Sequence, residues 1–139
     1  MDLGLIKNLT GDGVIERHRI VAFAATEGSV KQATGPTDAL IGVTGMNGSV
    51  AAGDRVDVMM DEIRDVEFGG AVSQGDPLTS DADGKAVLAT AHTHSENADA
   101  AYTQDATTGT ASVVRTIGYA MVDAVAGDIG PARIVPGNL

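Results

Sequence analysis

The sequence contains no cysteine and no tryptophan, and it has only two phenylalanines, two tyrosines and four prolines. The lack of cysteine excludes disulfide bonds, thiolate metal sites and cysteine nucleophiles. The shortage of aromatic rings leaves alanine, valine and isoleucine to build the core, and it counts against sugar binding, which relies on stacking against such rings. No apolar run reaches the roughly 18 residues of a membrane-spanning helix. The start of the chain lacks a basic segment followed by an apolar stretch, so we expect no signal peptide and a cytoplasmic location until assembly.

Basic residues are also scarce, because nine Lys and Arg stand against 19 Asp and Glu, for a formal net charge of −10. Nucleic-acid binding requires basic side chains that replace the counterions of the phosphates. Anionic membrane surfaces attract basic segments in the same way. We therefore expect neither nucleic acid nor membrane as a partner, whereas a protein with a basic face would suit this charge.

Glycine, valine and threonine dominate what remains, and they indicate an all-β fold. The 139 residues suit one domain, and the 18 glycines include Gly-Asp and Asn-Gly dipeptides that are typical of turns. Between these turns lie short segments in which apolar and polar residues alternate, as in Arg55–Met60. Such alternation predicts half-buried strands.

One short pattern occurs twice in the chain. In both copies a Gly is followed at the same spacing by an Ala-Thr pair, then by Ile-Gly and then by Ala-Gly-Asp. The first copy lies at residues 28–34, 41–43 and 52–58. The second copy lies at residues 84–90, 117–119, 126–128 and 132–135. Two copies are too few for a solenoid. The sequence therefore predicts two similar hairpin units in one small β-barrel or β-sandwich, with the junction between the halves at Gly69-Gly70.

The second copy departs from the first by about 20 extra polar residues. This predicts an inserted surface loop at about 92–110. His92 and His94 begin the loop, and in an extended segment they would project to one side. A solvated pair explains them without a metal ion, so we predict no metal site and no cofactor. Residues 80–84 place carboxylates as a calcium loop does, but the closing glutamate is missing, so a β-turn is predicted.

The first residues predict a separate segment, an arm over 1–13 ahead of a single β domain over 14–139. Leu3, Leu5 and Ile6 are apolar, while the surrounding glycines oppose regular structure. Two interpretations stay open. The segment is a frayed terminus, or it is an extended strand that docks on a neighbouring protein and adds to its sheet.

Catalytic signatures are missing from the sequence. We find no phosphate-binding loop, no Gly-x-Ser-x-Gly elbow and no grouping of acid and base, which predicts a protein that is not an enzyme. The cluster Arg17-His18-Arg19 is expected to pair with the chain's own acids. Asp65 and Glu67 alternate along a strand and are expected on a solvated face.

Several of these segments together resemble the capsid cement (head decoration) proteins of tailed bacteriophages. The resemblance covers about residues 19–135, and it rests on Asp38–Val43, Ala52–Val58, Gly69–Val72 and above all Gly75–Ala86. It implies a small, β-tulip-like barrel that binds the exterior of a phage head in the virion, with the major capsid protein as partner. Such proteins commonly form trimers and stabilise the shell by bridging coat subunits. Leu3, Leu5 and Ile6 then become candidate capsid contacts.

Two other functions remain open at the level of sequence. A small β-barrel that binds a ligand or glycan would carry His92 and His94 at its mouth and would be a monomer. A small hydrolase would need a base, and His18, His92 and His94 are the only histidines in the chain.

Overall fold

A computed structural model of the chain describes residues 4–90 and 113–139. These residues form β-strands and no helix, which confirms the predicted all-β class. The strands are β1 (Ile6–Gly11), β2 (Ile20–Phe23), β3 (Ser29–Gln32), β4 (Leu40–Thr44), β5 (Arg55–Met59), β6 (Ile63–Glu67), β7 (Pro77–Ser80), β8 (Ala86–Leu88), β9 (Arg115–Ala120) and β10 (Ile129–Asn138). Leu3 and the loop predicted at 92–110, with His92 and His94, lie outside the described residues.

The first five strands form a closed barrel in the order β1-β3-β2-β4-β5. β1 closes it, because it pairs antiparallel with β5 along its length and parallel with β3 at Thr10 and Gly11. On β5, Val56 and Val58 are buried and alternate with exposed polar residues, as predicted. The alternation follows from the pleat, which turns successive side chains to opposite faces of the sheet.

The last five strands repeat this arrangement. Their sheet has the order β6-β10-β9-β7-β8. The closed barrel, followed from β1 in the opposite direction, has the order β1-β5-β4-β2-β3, which is the same order with β6 to β10 in place of β1 to β5. The registers also correspond: the parallel pair Gly11 and Val30 has its counterpart in the parallel bridge between Phe68 and Ala86. The predicted two similar units are therefore present, and we call residues 6–60 unit 1 and residues 63–139 unit 2.

The junction between the units differs from the position expected at Gly69-Gly70. It lies at residues 60–62, because β1 and β2 correspond to β6 and β7. This part of the duplication is preserved in backbone shape more than in residue type. His18 and Gly75 occupy equivalent positions, and both have positive φ, 56° and 93°.

The first residues also differ from the expected arm. Residues 6–11 do add a strand to a sheet, but the sheet belongs to their own chain, where Ile6 pairs with Met59 and Thr10 with Arg55. The cause is closure of the barrel, since β5 would otherwise leave an unpaired edge. Contact between the first residues and a capsid stays a prediction.

The last strand contains two prolines, a residue that is usually confined to strand ends, edge strands or bulges. β10 nevertheless runs through Pro131 and Pro136 and lies between β6 and β9. Pro131 still contributes its carbonyl, which accepts a hydrogen bond from the Met121 N–H at 3.1 Å. Pro136 falls where the register with β9 shifts between Ile134 and Gly137. A bulge of this kind tolerates a residue without an N–H.

Two apolar clusters form the core, and one of them joins the units. The first fills unit 1 with Ile15, Val21, Val30, Ile41, Val56 and Val58. The second fills unit 2 and also includes Ile20, Ala22, Leu40 and Val43 from unit 1. Because Ile20 and Ala22 flank the inward-facing Val21, they lie on the outer face of the barrel. The outer face of unit 1 is therefore packed against unit 2.

Candidate functional site

A charged cluster lies at the junction between the two units. The Glu67 carboxylate is 3.2 Å from the Arg19 guanidinium and 3.4 Å from the Lys85 ammonium. Partial burial acts to raise the pKa of Glu67, but the hydrogen bond and charge of Arg19, together with Lys85, outweigh it and hold the pKa below its ordinary value. Glu67 therefore lies in an ion-pair cluster and not on the freely solvated face that was expected, whereas the pairing of Arg19 with an acid of the chain is confirmed.

The turn at residues 81–84 lies beside this cluster and docks unit 2 onto unit 1. One carboxylate oxygen of Asp81 accepts hydrogen bonds from the N–H groups of Asp83 and Lys85 at 2.8 and 2.9 Å, which confirms the predicted β-turn. The carbonyl of Gly84 accepts the N–H of Ile20 at 2.8 Å. The Asp83 carbonyl accepts from Arg19 at 3.0 Å. The segment Gly75–Ala86, which carries most of the resemblance to capsid cement proteins, therefore forms a contact between the two units of this chain.

Both of these features serve contacts within the chain. Within residues 4–90 and 113–139, no group of three or more His, Asp or Glu side chains is arranged to hold a metal ion. The same residues contain no helix that is long and apolar enough to cross a membrane. His18, one of the histidines available to a hydrolase, has left-handed backbone geometry and gives its carbonyl to the Glu67 N–H at 2.9 Å.

The start of β1 presents apolar side chains from a fixed backbone. The N–H of Leu5 donates to a carboxylate oxygen of Asp61 at 2.6 Å, and the carbonyl of Leu5 accepts from the Met60 N–H at 2.8 Å. The side chains of Leu5 and Ile6 nevertheless remain 53% and 43% exposed. Among the described residues, β1 pairs with β3 only at Thr10 and Gly11. The backbone from Ile6 to Leu9 therefore keeps one edge that a further strand could join.

Two open depressions adjoin this segment. The first, of about 310 Å³, lies beside Ile6, and the second, of about 460 Å³, lies beside Val14 and Val50. Met46 and Gly48 form the wall between them. The side chains of Ile6, Val14, Met46 and Val50 are exposed and line these depressions; together with the exposed Leu5, which precedes Ile6, we call them the N-terminal surface. Sequence patterns missed Val14, Met46 and Val50, although an apolar residue inside the predicted Asn-Gly turn was an available signal.

Three of the polar side chains that line the first depression, Asn8, Arg55 and Asp57, are already paired. Asn8 donates from its amide to Asp57 at 2.9 Å and accepts from Arg55 at 2.7 Å. Arg55 also donates to the Thr10 hydroxyl at 3.0 Å. Ligand sites typically present polar groups that are free to orient a ligand. The depression is therefore better suited to apolar contact with a protein surface than to a small polar ligand.

Comparison with known proteins identifies a shared fold. No family model and no curated protein matches the sequence. Among solved structures, the chain is similar to the N base of the head fiber gp8.5 of bacteriophage phi29, with a TM-score of 0.60 and 17% sequence identity over 97% of each chain. At this identity the likeness establishes the fold, which this chain shares with a protein of a phage head.

Proposed function

We propose that this protein is a structural component of a phage virion that binds the outer surface of the head and stabilises the shell. The observation that carries the proposal is the fold, which matches the N base of a phage head fiber over nearly the full length of both chains. The resemblance of Gly75–Ala86 and its neighbouring segments to capsid cement proteins supports the same role from the sequence. The partner would be the major capsid protein, and the role would be non-enzymatic.

The N-terminal surface is the part of the molecule best suited to meet the capsid. Leu5 and Ile6 project from a strand whose backbone is already hydrogen-bonded to residues 59–61, so little chain entropy would be lost on binding. The open edge of Ile6–Leu9 could also take up a strand of a coat subunit, which gains backbone hydrogen bonds without a large apolar patch. Leu3, the third predicted contact, lies outside the described residues.

Stabilisation of a shell would follow from repetition of this contact. Each copy that binds the assembled coat and not the free subunits shifts the equilibrium toward assembly by mass action. Self-association, with a trimer as the favoured state, would give each bound particle several contacts, so that modest single contacts add up to firm attachment. The net charge of −10 would favour a coat surface with a basic face. The protein would reach this exterior position from the host cytoplasm.

Co-sedimentation with phage heads tests the proposal. Heads that lack this protein are mixed with increasing amounts of the purified full chain and pelleted, and we expect saturable binding at a fixed number of copies per head. The variant Leu5→Ser/Ile6→Ser should bind at least about tenfold more weakly, since it removes two apolar contacts of about 1 kcal/mol or more each. Val125→Ser is the matched control, because Val125 is an exposed valine of unit 2 away from β1, and it should bind as wild type does.

Three results would separate the parts of the proposal. Heads that never retain the protein would refute capsid binding. Normal binding by Leu5→Ser/Ile6→Ser would remove the N-terminal surface from the account while leaving capsid binding in place. A monomer that ignores heads and binds a sugar or another small molecule in a saturable way would instead establish the ligand-binding alternative.

A further inference from the structure

The contact between the two units is directional, since each unit contributes a different face. Unit 1 contributes the outer face of β2 and β4, where Ile20 and Val43 are fully buried. Unit 2 contributes the turn at 81–84, whose Gly84 carbonyl accepts the Ile20 N–H. We call the first the strand face and the second the turn face.

Because the units are duplicates, each possesses both faces, and one face of each unit is left unused. In unit 2 the strand face is open at Tyr119, while Thr79, the counterpart of Ala22, is buried. The neighbours Ile20 and Val43 on β2 and β4 correspond to Pro77 and Tyr119 on β7 and β9, which pair in the same register. Val43 is completely buried, whereas Tyr119 is 44% exposed.

In unit 1 the turn face is exposed, and the Gly28 carbonyl accepts the Thr10 N–H of its own unit at 3.2 Å. The docking turn of unit 2 corresponds to residues 25–28, and Gly28 and Gly84 share positive φ of 84° and 75°. A Cβ at Gly84 would lie 2.7 Å from the Gln32 side chain and 3.2 Å from the Ile20 carbonyl, whereas a Cβ at Gly28 would meet nothing within 4 Å. Phe23 lies at the end of β2 beside this turn and is 53% exposed.

The distribution of aromatic residues singles out these two faces. The chain has four phenylalanines and tyrosines. Phe68 is buried in the core of unit 2, and Tyr102 lies outside the described residues. Of the other two, Phe23 lies beside the turn face of unit 1 and Tyr119 lies on the strand face of unit 2. Aromatic side chains, Tyr and Phe included, are enriched in the cores of protein interfaces, and Tyr is among the residues that most often carry the binding energy.

We propose that two copies of this chain join head to tail, with the turn face of unit 1 in one copy, including Phe23, against the strand face of unit 2 in the other, including Tyr119. The contact repeats between chains the arrangement that unit 2 and unit 1 already make within one chain. It is heterologous, so further copies add in the same sense and the rotation per copy sets the size of the ring. In the contact between chains, Pro77 takes the place of Ile20 and Gly28 takes the place of Gly84. Because proline has no N–H, the hydrogen bond from Ile20 to Gly84 is not reproduced there. The two aromatic side chains anchor the contact instead.

The proposal rests on the self-association proposed above but not on capsid binding, so its test uses the full chain without phage heads. Mass is measured by light scattering and analytical ultracentrifugation over a range of concentrations. We expect a concentration-dependent oligomer for the wild type and at least about a tenfold rise in the dissociation constant for Phe23→Ser and for Tyr119→Ser. Val125→Ser, which removes an exposed valine from the turn after β9 and from neither face, should assemble as wild type does.

Mixing the two variants provides the decisive arm of the test. Phe23→Ser keeps an intact strand face and Tyr119→Ser keeps an intact turn face, so an equimolar mixture should form a 1:1 dimer and nothing larger. Circular dichroism and urea unfolding establish that each variant is folded. Glu27→Arg is a second variant of the turn face, and because Glu27 is exposed its folding is not at risk.

The outcomes that overturn the proposal are equally definite. A wild type that stays monomeric at all concentrations refutes it. Oligomers that survive both serine substitutions place self-association elsewhere on the molecule. A mixture of the two variants that remains monomeric shows that Phe23 and Tyr119 do not meet across one heterologous contact.

Discussion

The interiors of the two units fill equivalent space with side chains of opposite size. In unit 1, Gly11 and Val56 point into the barrel from β1 and β5, and their counterparts in unit 2 are Phe68 and Gly130. Phe68 is completely buried, and a Cβ placed on Gly130 would lie 3.6 Å from the Phe68 ring. The ring therefore covers the space above Gly130. This exchange of volume predicts that the two positions are energetically coupled.

Substitutions at this pair have expected magnitudes. Phe68→Ala leaves a cavity and should lower the free energy of unfolding by about 3–5 kcal/mol. Gly130→Val adds methyl groups toward the ring and toward Val122, and it should cost about 1–3 kcal/mol through overpacking. In the double variant the valine occupies part of the vacated space, as Val56 does beside Gly11 in unit 1. The double variant should therefore be more stable than the sum of the single changes implies, by about 1–3 kcal/mol.

Urea unfolding monitored by far-ultraviolet circular dichroism gives the four free energies of this cycle. The control cycle combines Phe68→Ala with Val56→Ala, two core positions in different units, and should be additive within about 0.5 kcal/mol. If the Phe68 and Gly130 changes were also additive, the Phe68 ring would not occupy the space that a larger side chain at position 130 needs. That result would refute this account of the duplicated core.

Three further changes have defined outcomes in the same unfolding assay. Gly118→Ala should unfold the protein or cost more than about 3 kcal/mol, because φ is 148° and the added methyl group would collide with the Arg133 carbonyl. Gly84→Ala should cost at least about 1 kcal/mol more than Gly28→Ala, since both have positive φ but only Gly84 is packed against the other unit; equal costs would argue against docking of the turn. Glu67→Gln should cost about 1 kcal/mol at pH 7. The pKa of Glu67 is lowered in the folded protein, so the ionised carboxylate stabilises the fold above the ordinary pKa of glutamate, and this contribution is lost as the pH falls through the folded pKa. The difference in free energy of unfolding between Glu67→Gln and wild type should therefore vanish toward acid pH. A difference that stays constant with pH would contradict the ion-pair cluster.

The sequence was sufficient to predict features that depend on local chemistry. Turns at Gly53-Asp54 and Asp81–Gly84 need residues that adopt positive φ or bond their own backbone, and both residue types are visible in the sequence. Alternation along β5 predicted its two faces for the same reason. The second copy of the hairpin pattern then predicted the two units.

Features that depend on distant contacts could not be predicted in this way. Nothing in Ile6–Gly11 indicates that it closes its own barrel, because its partners on β5 lie about 50 residues away along the chain. Pro131 and Pro136 read locally as strand boundaries, and only the bulge and the carbonyl bond to Met121 show how β10 accommodates them. Glu67 looked solvated because Arg19 lies one unit away.

Imaging of decorated heads tests the central claim most directly. Heads that lack this protein are incubated with the purified chain and examined by electron cryomicroscopy, with untreated heads as the reference. The account predicts additional density on the outer surface, at positions that repeat with the symmetry of the shell and that fit the two-unit fold with β1 facing the coat. Heads that show no added density at saturating protein would contradict it.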